Sequence, residues 1–354
     1  MRFARPLPVL LLTSLLAAAC SGSGATTATD SPSSPDPASA PPASASGSLT
    51  VYSGRSESLV GPLLERFETE TGIDTEVNYA STSELAATIL EEGDASPADV
   101  FFGQDAGALG ALAAEGRLAA LPQPTLDKVE ERFRADDGSW VGVSGRARVV
   151  AYDSRVHEDA DLPDDIAAFT DPQWKGKIGW APTNASFQSF ISAFRQLDGD
   201  EAAKAWLEGI QANEPKVFEG NEEVLNAIAA GEIEAGFINH YYLMVALAEQ
   251  GDSFPVRNHF LAGDDPGSLV NVASTGILNT AANPAAAQAF VEYLLTQESQ
   301  EYFANETQEY PLIEGVPANP ELPALDEVAS PDIDLSDLSD LEGTLRLIQE
   351  AGVL

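Results

Sequence analysis

The 354-residue chain contains one cysteine, Cys20, only three histidines and few basic residues. A single cysteine excludes an intrachain disulfide and any zinc site that is built on cysteine pairs. The chain also lacks a glycine-rich phosphate loop, a Gly-x-Ser-x-Gly elbow and a His-Glu-x-x-His pair. No pattern in the sequence therefore joins a nucleophile to a base, which argues against a hydrolytic enzyme.

Basic residues are scarce beside acidic ones: 18 Lys and Arg stand against 56 Asp and Glu, a formal net charge of −38. Such a chain repels the phosphates of nucleic acids and anionic lipid head groups, so we exclude both as partners. The acidity is also typical of a surface that stays soluble in salty surroundings. Because salt screens charges beyond about 10 Å, net charge alone does not identify a ligand.

Long apolar runs are absent except near the amino terminus. There Arg2 and Arg5 precede the apolar segment Val9–Ala19, which is shorter than the roughly 20 residues that span a bilayer and fits the core of a signal peptide. The sequence LAAAC, which ends at Cys20, is typical of a lipoprotein cleavage site. An ordinary secretory signal with an incidental cysteine is the alternative. We expect residues 1–19 to be a signal peptide and Cys20 to carry the lipid.

A low-complexity segment follows the cysteine. Ser21–Gly47 consists almost entirely of Ser, Gly, Ala, Thr, Pro and Asp, so it cannot bury enough apolar surface to become ordered. A flexible coil of this length spans roughly 30 Å. We expect residues 20–47 to tether the folded part to the outer face of the cytoplasmic membrane, at the cell surface or in the periplasm, with the lipid as its only membrane contact.

The remaining chain alternates predicted strands and helices. An apolar strand over Ser48–Ser53 precedes a helix, and a second block of strands and helices begins near residue 178. Between the blocks, a polar segment at Ser144–Arg148 leads into a short strand, Val149–Tyr152. This order predicts an α/β fold with parallel strands and two lobes, and a ligand cleft at the carboxyl ends of the strands.

Tyr241 and Tyr242 fall where a predicted strand, GFIN, ends and a helix begins. Adjacent side chains diverge within a strand or a helix, so only such a bend lets both hydroxyls converge. A phenolate is a hard oxygen donor, and only a strongly acidic cation such as Fe³⁺ would deprotonate two tyrosines, whose ordinary pKa is about 10. The alternative is a pair of aromatic rings that caps the core.

Other polar residues lie at predicted strand ends. Asn184 and Ser186 precede a helix whose free N–H groups could hold an anion, although plain helix capping is the alternative. Arg146 and Arg148 could grip an oxyanion through two parallel hydrogen bonds or pair with nearby acids. Asp105 is either a helix cap or a ligand.

The folded part resembles the periplasmic ferric-iron-binding proteins that supply ABC importers. The similar segments are VYSGR (51–55), SPADVFF (96–102), SGRARVV (144–150), WKGKIGWAPTNASF (174–187), INHYY (238–242), DPGSLVN (265–271), EYPL (309–312) and the final EAGVL. They run nearly from end to end and keep their order. The resemblance implies a periplasmic-binding-protein-like fold of type II, in which two hinged lobes close on one Fe³⁺ ion.

The resemblance also implies roles for individual residues. Tyr241 and Tyr242 match the iron-binding pair, and Arg146 matches an arginine that faces the cleft. The residues near the accompanying anion would be Asn184, Ala185, Ser186 and Asn239.

Departures from the family pattern leave the iron incompletely coordinated. Ser56 stands where some relatives have His, Gln104 replaces a Glu, and no third Tyr lies near Asn184. The resemblance therefore implies a synergistic anion such as carbonate or phosphate. Further candidate cleft residues are Arg55, Ser56, Gln104 and Asp105.

We predict a monomeric, lipid-anchored, extracytoplasmic substrate-binding protein that passes ferric iron to an ABC-transporter permease. One lobe would comprise residues 48–145 and 272–322, the other residues 146–271 and 323–354. A binding protein for another oxyanion or a small organic solute is the alternative, and an exported enzyme is a third reading.

Overall fold

Strands and helices alternate along residues 47–261, 263 and 265–354, which are the residues described by a computed structural model. The predicted signal peptide, Cys20 and the tether up to residue 46 lie outside them. The strands are β1 (Gly47–Ser53), β2 (Ile73–Tyr79), β3 (Val100–Gly103), β4 (Val141–Asp153), β5 (Ile178–Trp180), β6 (Lys216–Val217), β7 (Ala235–Asn239), β8 (Val256–His259) and β9 (Val270–Ile277). The helices are α1 (Glu57–Thr71), α2 (Thr82–Glu92), α3 (Ala106–Ala114), α4 (Gln123–Leu126), α5 (Ala185–Asp198), α6 (Asp200–Ala212), α7 (Asn221–Ala229), α8 (Tyr241–Gln250), α9 (Pro284–Leu294), α10 (Gln297–Asn305) and α11 (Leu341–Glu350). Within this part of the chain, no helix combines the length and apolarity needed to cross a membrane.

The strands follow the order β2-β1-β3-β9-β4-β7-β5-β6, with β8 also paired to β4. β1 is parallel to β2 and β3, as the alternating pattern predicts, whereas β9 runs antiparallel between β3 and β4. Residues 141–147 of β4 pair with β9, and residues 148–152 pair with β7. β4 therefore passes from one half of the sheet into the other and joins them.

Buried apolar side chains form separate clusters that follow this division of the sheet. One cluster draws mainly on residues 49–147 and 269–338. Two neighbouring clusters draw on residues 149–261 and on the carboxyl-terminal helix. The α/β architecture therefore has hydrophobic cores on both sides of the point where β4 passes from one half of the sheet into the other.

The carboxyl-terminal segment divides at a different place from the predicted lobe boundary at residue 323. Leu335 and Leu338 pack into the first cluster, and only residues of the last helix and the turn after it join the second. The segment around Leu338 lies close against α3 at Gly107. Glycine permits this contact, because a β-carbon at position 107 would come within 2.7 Å of the carbonyl oxygen of Leu338. Other features of the lobe boundaries stay a prediction.

The local patterns explain α1 well and β4 less well. Val60, Leu63, Leu64 and Phe67 form the buried face of α1, and Gly72 ends the helix in the left-handed conformation with φ of 70°. In contrast, β4 extends over 13 residues, all buried, and includes the polar segment that was predicted to precede the strand. Ser144 and Arg148 of this segment have buried hydrogen-bond partners from distant segments, which no local pattern reveals. The short strand β8 was not predicted either.

Candidate metal and anion site

Tyr241 and Tyr242 lie side by side at the start of α8. β7 ends at Asn239, His240 forms the bend, and the helix begins at Tyr241. The two phenol rings stack with their centroids 4.3 Å apart and their planes inclined by 26°. Tyr241 is only 2% exposed, and Tyr242 is partly buried. The strand–helix junction thus brings both rings to one place.

The surroundings of Tyr241 favour its neutral, protonated form. Burial and then the adjacent Tyr242 raise the pKa of Tyr241 well above its ordinary value, while Arg55 and Arg146 oppose the rise. Neither tyrosine hydroxyl takes part in a hydrogen bond with the described residues. A cation that binds here as a phenolate complex must therefore displace a proton, which a hard trivalent ion can do.

Arg55 and Glu309 form a buried ion pair beside Tyr241. Nη2 of Arg55 lies 2.9 Å from each carboxylate oxygen of Glu309. The hydroxyls of Ser144 and Thr307 donate to the same carboxylate at 2.9 and 3.0 Å. Burial alone would lower the pKa of Arg55, but Glu309 and Tyr241 outweigh it and raise that pKa. Arg55 is therefore a charged guanidinium whose partner is fixed.

Arg146 is a buried guanidinium whose donors are unused. It is 1% exposed, and its Nε, Nη1 and Nη2 atoms have no hydrogen-bond partner among the described residues. Its Nε lies 4.0 Å from Oε1 of Glu309, which is too far for a hydrogen bond. Burial, and next the charge of Arg55, lower the pKa of Arg146. An unsatisfied buried guanidinium is costly, so an anion bound to it would be stabilising.

The start of α5 carries a hydrogen-bonded polar cluster. Oδ1 of Asn184 accepts from the backbone N–H and the hydroxyl of Ser186, at 3.0 and 2.6 Å. Nδ2 of Asn221 donates to Asn184 and to Ser186, at 3.3 and 3.2 Å. Asn184 therefore caps α5 with its own side chain, as the capping alternative predicts, and the role of residues 184–186 in anion binding stays a prediction.

Arg148 connects this cluster with Tyr242. Its Nη1 lies 3.4 Å from the hydroxyl of Ser186, and its Nη2 donates to the carbonyl of Phe237 at 2.9 Å. Burial lowers the pKa of Arg148 to about 9, and the nearby Tyr242 opposes the decrease. Arg148 has no ion pair with an acid among the described residues, so that alternative for this arginine is not realised.

His240 ties the bend to two distant segments. Its Nδ1 accepts the backbone N–H of Ala147 at 3.1 Å, and its Nε2 donates to the carbonyl of Gln308 at 3.1 Å. Burial lowers the pKa of His240 to about 4. The imidazole is therefore neutral near pH 7, and it holds the tyrosine pair against β4 and the segment that follows α10.

The other predicted cleft residues lie in different settings. Ser56 is exposed at the start of α1, and Gln104 is partly buried. Asp105 is buried and caps α3 by accepting a backbone N–H at 3.3 Å. Burial raises the pKa of Asp105, and Arg146 opposes the rise. Asn239 is buried at the end of β7.

A cavity of about 490 Å³ opens onto the tyrosine rings. Its walls come from the start of α1, from α7 and α8, and from the residue that follows α10. A larger cavity, about 580 Å³, lies against Leu243, Met244 and Leu247 of α8, and neither tyrosine lines it. Across the described chain, no three His, Cys, Asp or Glu side chains converge as metal ligands. The phenol oxygens of Tyr241 and Tyr242 therefore stay the predicted metal-binding groups of the smaller cavity.

Sequence reasoning missed two buried residues of this site. Glu309 lies 254 positions from Arg55, so no local pattern relates them, and only its place in the EYPL segment drew attention to it. Asn221 begins α7 shortly after β6. A polar residue at a strand–helix junction is the signal that could have identified Asn221, as it identified Asn184.

This fold, with a cleft at its strand ends, is that of a binding protein for a small solute. The chain belongs to the bacterial extracellular solute-binding protein family, whose model matches residues 63–330. It is similar to the Fe(3+)-binding periplasmic protein of Serratia marcescens, with 32% identity over 314 residues that cover 88% of this chain and 92% of that protein.

Further relatives point to the same group of proteins. The major ferric iron-binding protein of Neisseria meningitidis serogroup B is 34% identical over 308 residues, which cover 86% of this chain and 93% of that protein. Iron-bound HitA from Pseudomonas aeruginosa superposes with a TM-score of 0.82 at 32% identity, covering 86% of this chain and 99% of that one. These similarities confirm the predicted α/β, two-lobed binding-protein fold.

Proposed function

We propose that this protein captures ferric iron outside the cytoplasm and delivers it to the permease of an ABC importer. The observation that carries the proposal is the stacked pair Tyr241 and Tyr242, which lines a cavity. Neither hydroxyl has a hydrogen-bond partner among the described residues. Two adjacent phenols suit a cation acidic enough to displace their protons. The names of the relatives, which refer to ferric iron, support the same cargo.

An absorbance titration with ferric citrate tests this function. Charge transfer from phenolate to Fe³⁺ absorbs visible light, so the iron-loaded protein is expected to be coloured. A protein that binds a different oxyanion or a small organic solute would stay colourless, as would an exported enzyme. A colourless protein that leaves all the iron with the citrate would contradict the proposal.

We further propose that an oxyanion such as carbonate or phosphate binds together with the iron. Two phenolates supply two donor atoms and two negative charges, whereas Fe³⁺ takes about six donors and carries three positive charges. The three unused nitrogens of Arg146 lie near Tyr241 and suit an anion. We assign to its surroundings the side chains of Asn184, Ser186, Asn221 and Asn239, together with the backbone N–H of Ala185 at the start of α5.

Removing anions is therefore expected to weaken iron binding by about tenfold or more. The measurement is an iron titration in carbonate- and phosphate-depleted buffer, repeated after either anion is restored. The iron affinity of Arg146→Ala should not increase when the anion is restored. The iron affinity of Asp105→Asn should increase as it does for the parent, because Asn can still cap α3. Equal affinities with and without anions would contradict this role, and a selective loss in Asp105→Asn would identify that carboxylate as a ligand instead.

We also propose that a lipid on Cys20 anchors the protein and that residues 20–46 act as its tether, one residue shorter than predicted because β1 begins at Gly47. The LAAAC sequence and the acidic composition support this arrangement, because a net charge of −38 disfavours binding of the chain to anionic lipids. Cys20→Ala should leave the protein unprocessed or released. If the variant, processed to the parent's mature size, still stayed with membranes after a high-salt wash and was extracted by detergent like the parent, the lipid anchor would be excluded.

Closure of the two lobes is the motion that we propose for capture. β4 passes between the two halves near Arg148 and pairs with β9 up to that point, so we place the hinge near Arg148 and Val272, where small rotations would move residues 48–145 relative to residues 146–271. The tyrosine pair belongs to the second group of residues. Ser56, from the first group, lines the same cavity.

A further inference from the structure

Three glutamates line the cavity that opens onto the tyrosine pair. Glu222 lies in the first turn of α7, Glu249 near the end of α8, and Glu306 directly after α10. All three are exposed, and within the described chain none of their side chains makes a hydrogen bond or an ion pair. No Lys or Arg is among the residues that line this cavity. These three cavity glutamates therefore present uncompensated negative charge.

The same cavity is lined by a buried phenol whose hydroxyl has no hydrogen-bond partner among the described residues. Tyr241 is 98% buried, lines the cavity, and has no hydrogen bond to its hydroxyl from the described residues. The three buried arginines near the tyrosines, Arg55, Arg146 and Arg148, do not line the cavity. A solute that approaches through the cavity thus meets carboxylates first and the phenols next, before any cationic group.

We propose that the cavity glutamates select the chemical form from which iron is captured. Cationic and neutral ferric species enter, whereas anionic ferric carboxylate complexes are slowed. This inference rests on the proposed ferric-iron function and adds the class of iron source. It concerns the rate of capture and not the coordination of bound iron, because the glutamates lie at the surface while the phenols lie within.

The expected size of this effect follows from electrostatics. A cleft lined by charges of one sign changes the on-rate of a charged ligand by ~10- to 1,000-fold. Exposed carboxylates lie at the low end of that range because salt screens them within about 8 Å under physiological conditions. We expect the parent protein to take iron from an anionic complex about five- to tenfold more slowly at low salt than a variant without these charges.

Stopped-flow measurement of the visible phenolate–iron band tests the inference. Ferric citrate serves as the anionic source and the neutral tris(acetohydroxamato) iron(III) complex as the uncharged one. For the parent, the rate with citrate should rise as salt is added, while the rate with the neutral complex stays constant. The variant E222Q/E249Q/E306Q should capture iron from citrate about five- to tenfold faster at low salt and keep the parent rate with the neutral complex.

A matched control separates local charge from total charge. E91Q/E115Q/E350Q removes three exposed carboxylates that do not line the cavity and that have no side-chain partner among the described residues. This control should keep the parent rates with both sources, so an equal acceleration in the two variants would overturn the inference. A changed band or weaker equilibrium binding in E222Q/E249Q/E306Q would also overturn it, by identifying the glutamates as iron ligands. Failure of the parent to form the band from either source would instead refute the ferric-iron function.

Discussion

Replacing Tyr241 or Tyr242 with Phe is expected to abolish most ferric-iron binding and the visible absorption while leaving the fold intact. Phe keeps the stacked ring, whose centroid lies 4.3 Å from that of its neighbour, and removes only the donor oxygen. Neither hydroxyl has a hydrogen-bond partner in the described structure, so its loss leaves no protein group unsatisfied. Loss of a residue that only hydrogen-bonds to a metal ligand typically lowers metal affinity by about 10- to 100-fold. Loss of a ligand itself should therefore lower iron affinity by more than about 100-fold.

Tyr79→Phe is the matched control for these two variants. Tyr79 is partly buried at the end of β2 and does not line the cavity. Its replacement should leave iron affinity and the visible band unchanged, and circular dichroism should show all three variants folded. If Tyr241→Phe and Tyr242→Phe bound iron with the parent's affinity and spectrum, the tyrosine pair would not be the metal site.

The same chemistry makes binding dependent on pH. Burial and Tyr242 raise the pKa of Tyr241, so the free protein holds this phenol protonated at neutral pH. Each phenol that ionises upon binding releases one proton. For each proton released, the iron affinity should fall about tenfold when the pH is lowered by one unit. Titrations at several pH values should therefore show a shallower slope for Tyr241→Phe than for the parent.

Replacing Glu309 with Ala is expected to lower the free energy of unfolding by about 3–5 kcal/mol, because it leaves a buried guanidinium without its counter-charge. Glu309 is fully buried, and Arg55 holds its carboxylate at 2.9 Å. The hydroxyl of Ser144 would lose its acceptor as well, whereas that of Thr307 can still donate to the carbonyl of Phe303 at 2.9 Å. Glu309→Gln keeps an oxygen that can accept hydrogen bonds but removes the negative charge. We therefore expect it to lower the free energy of unfolding by less than Glu309→Ala does.

Urea unfolding of the iron-free protein measures this effect. Glu232→Ala is the control, because Glu232 forms an ion pair with Lys216 in which both side chains are largely exposed. An exposed pair of this kind contributes about 0–1 kcal/mol. If Glu309→Ala and Glu232→Ala unfolded at the same urea concentration, the buried pair would not stabilise the protein as we expect.

Local sequence patterns were enough to predict much of this fold. The apolar face of α1 and the glycine that ends it follow a helical period, and the alternation of strands and helices predicts the parallel pairing of β1 with β2 and β3. The strand–helix junction at Asn239 also located the tyrosine pair. Each of these features depends on residues within one or two turns of each other, so the order of residue types contains the information.

Contacts between distant segments depended on the tertiary structure. The pairing of Arg55 with Glu309, the hydrogen bonds of Asn221 to the start of α5 and the packing of Leu338 against Gly107 join residues far apart in sequence. Whether a buried polar atom finds a partner is equally a property of packing, as the three unused nitrogens of Arg146 illustrate. The sequence alone indicated an acidic α/β protein with two phenols at one bend. Only the folded chain determined which charges surround those phenols, because these charges come from segments that meet through packing and not through proximity along the chain.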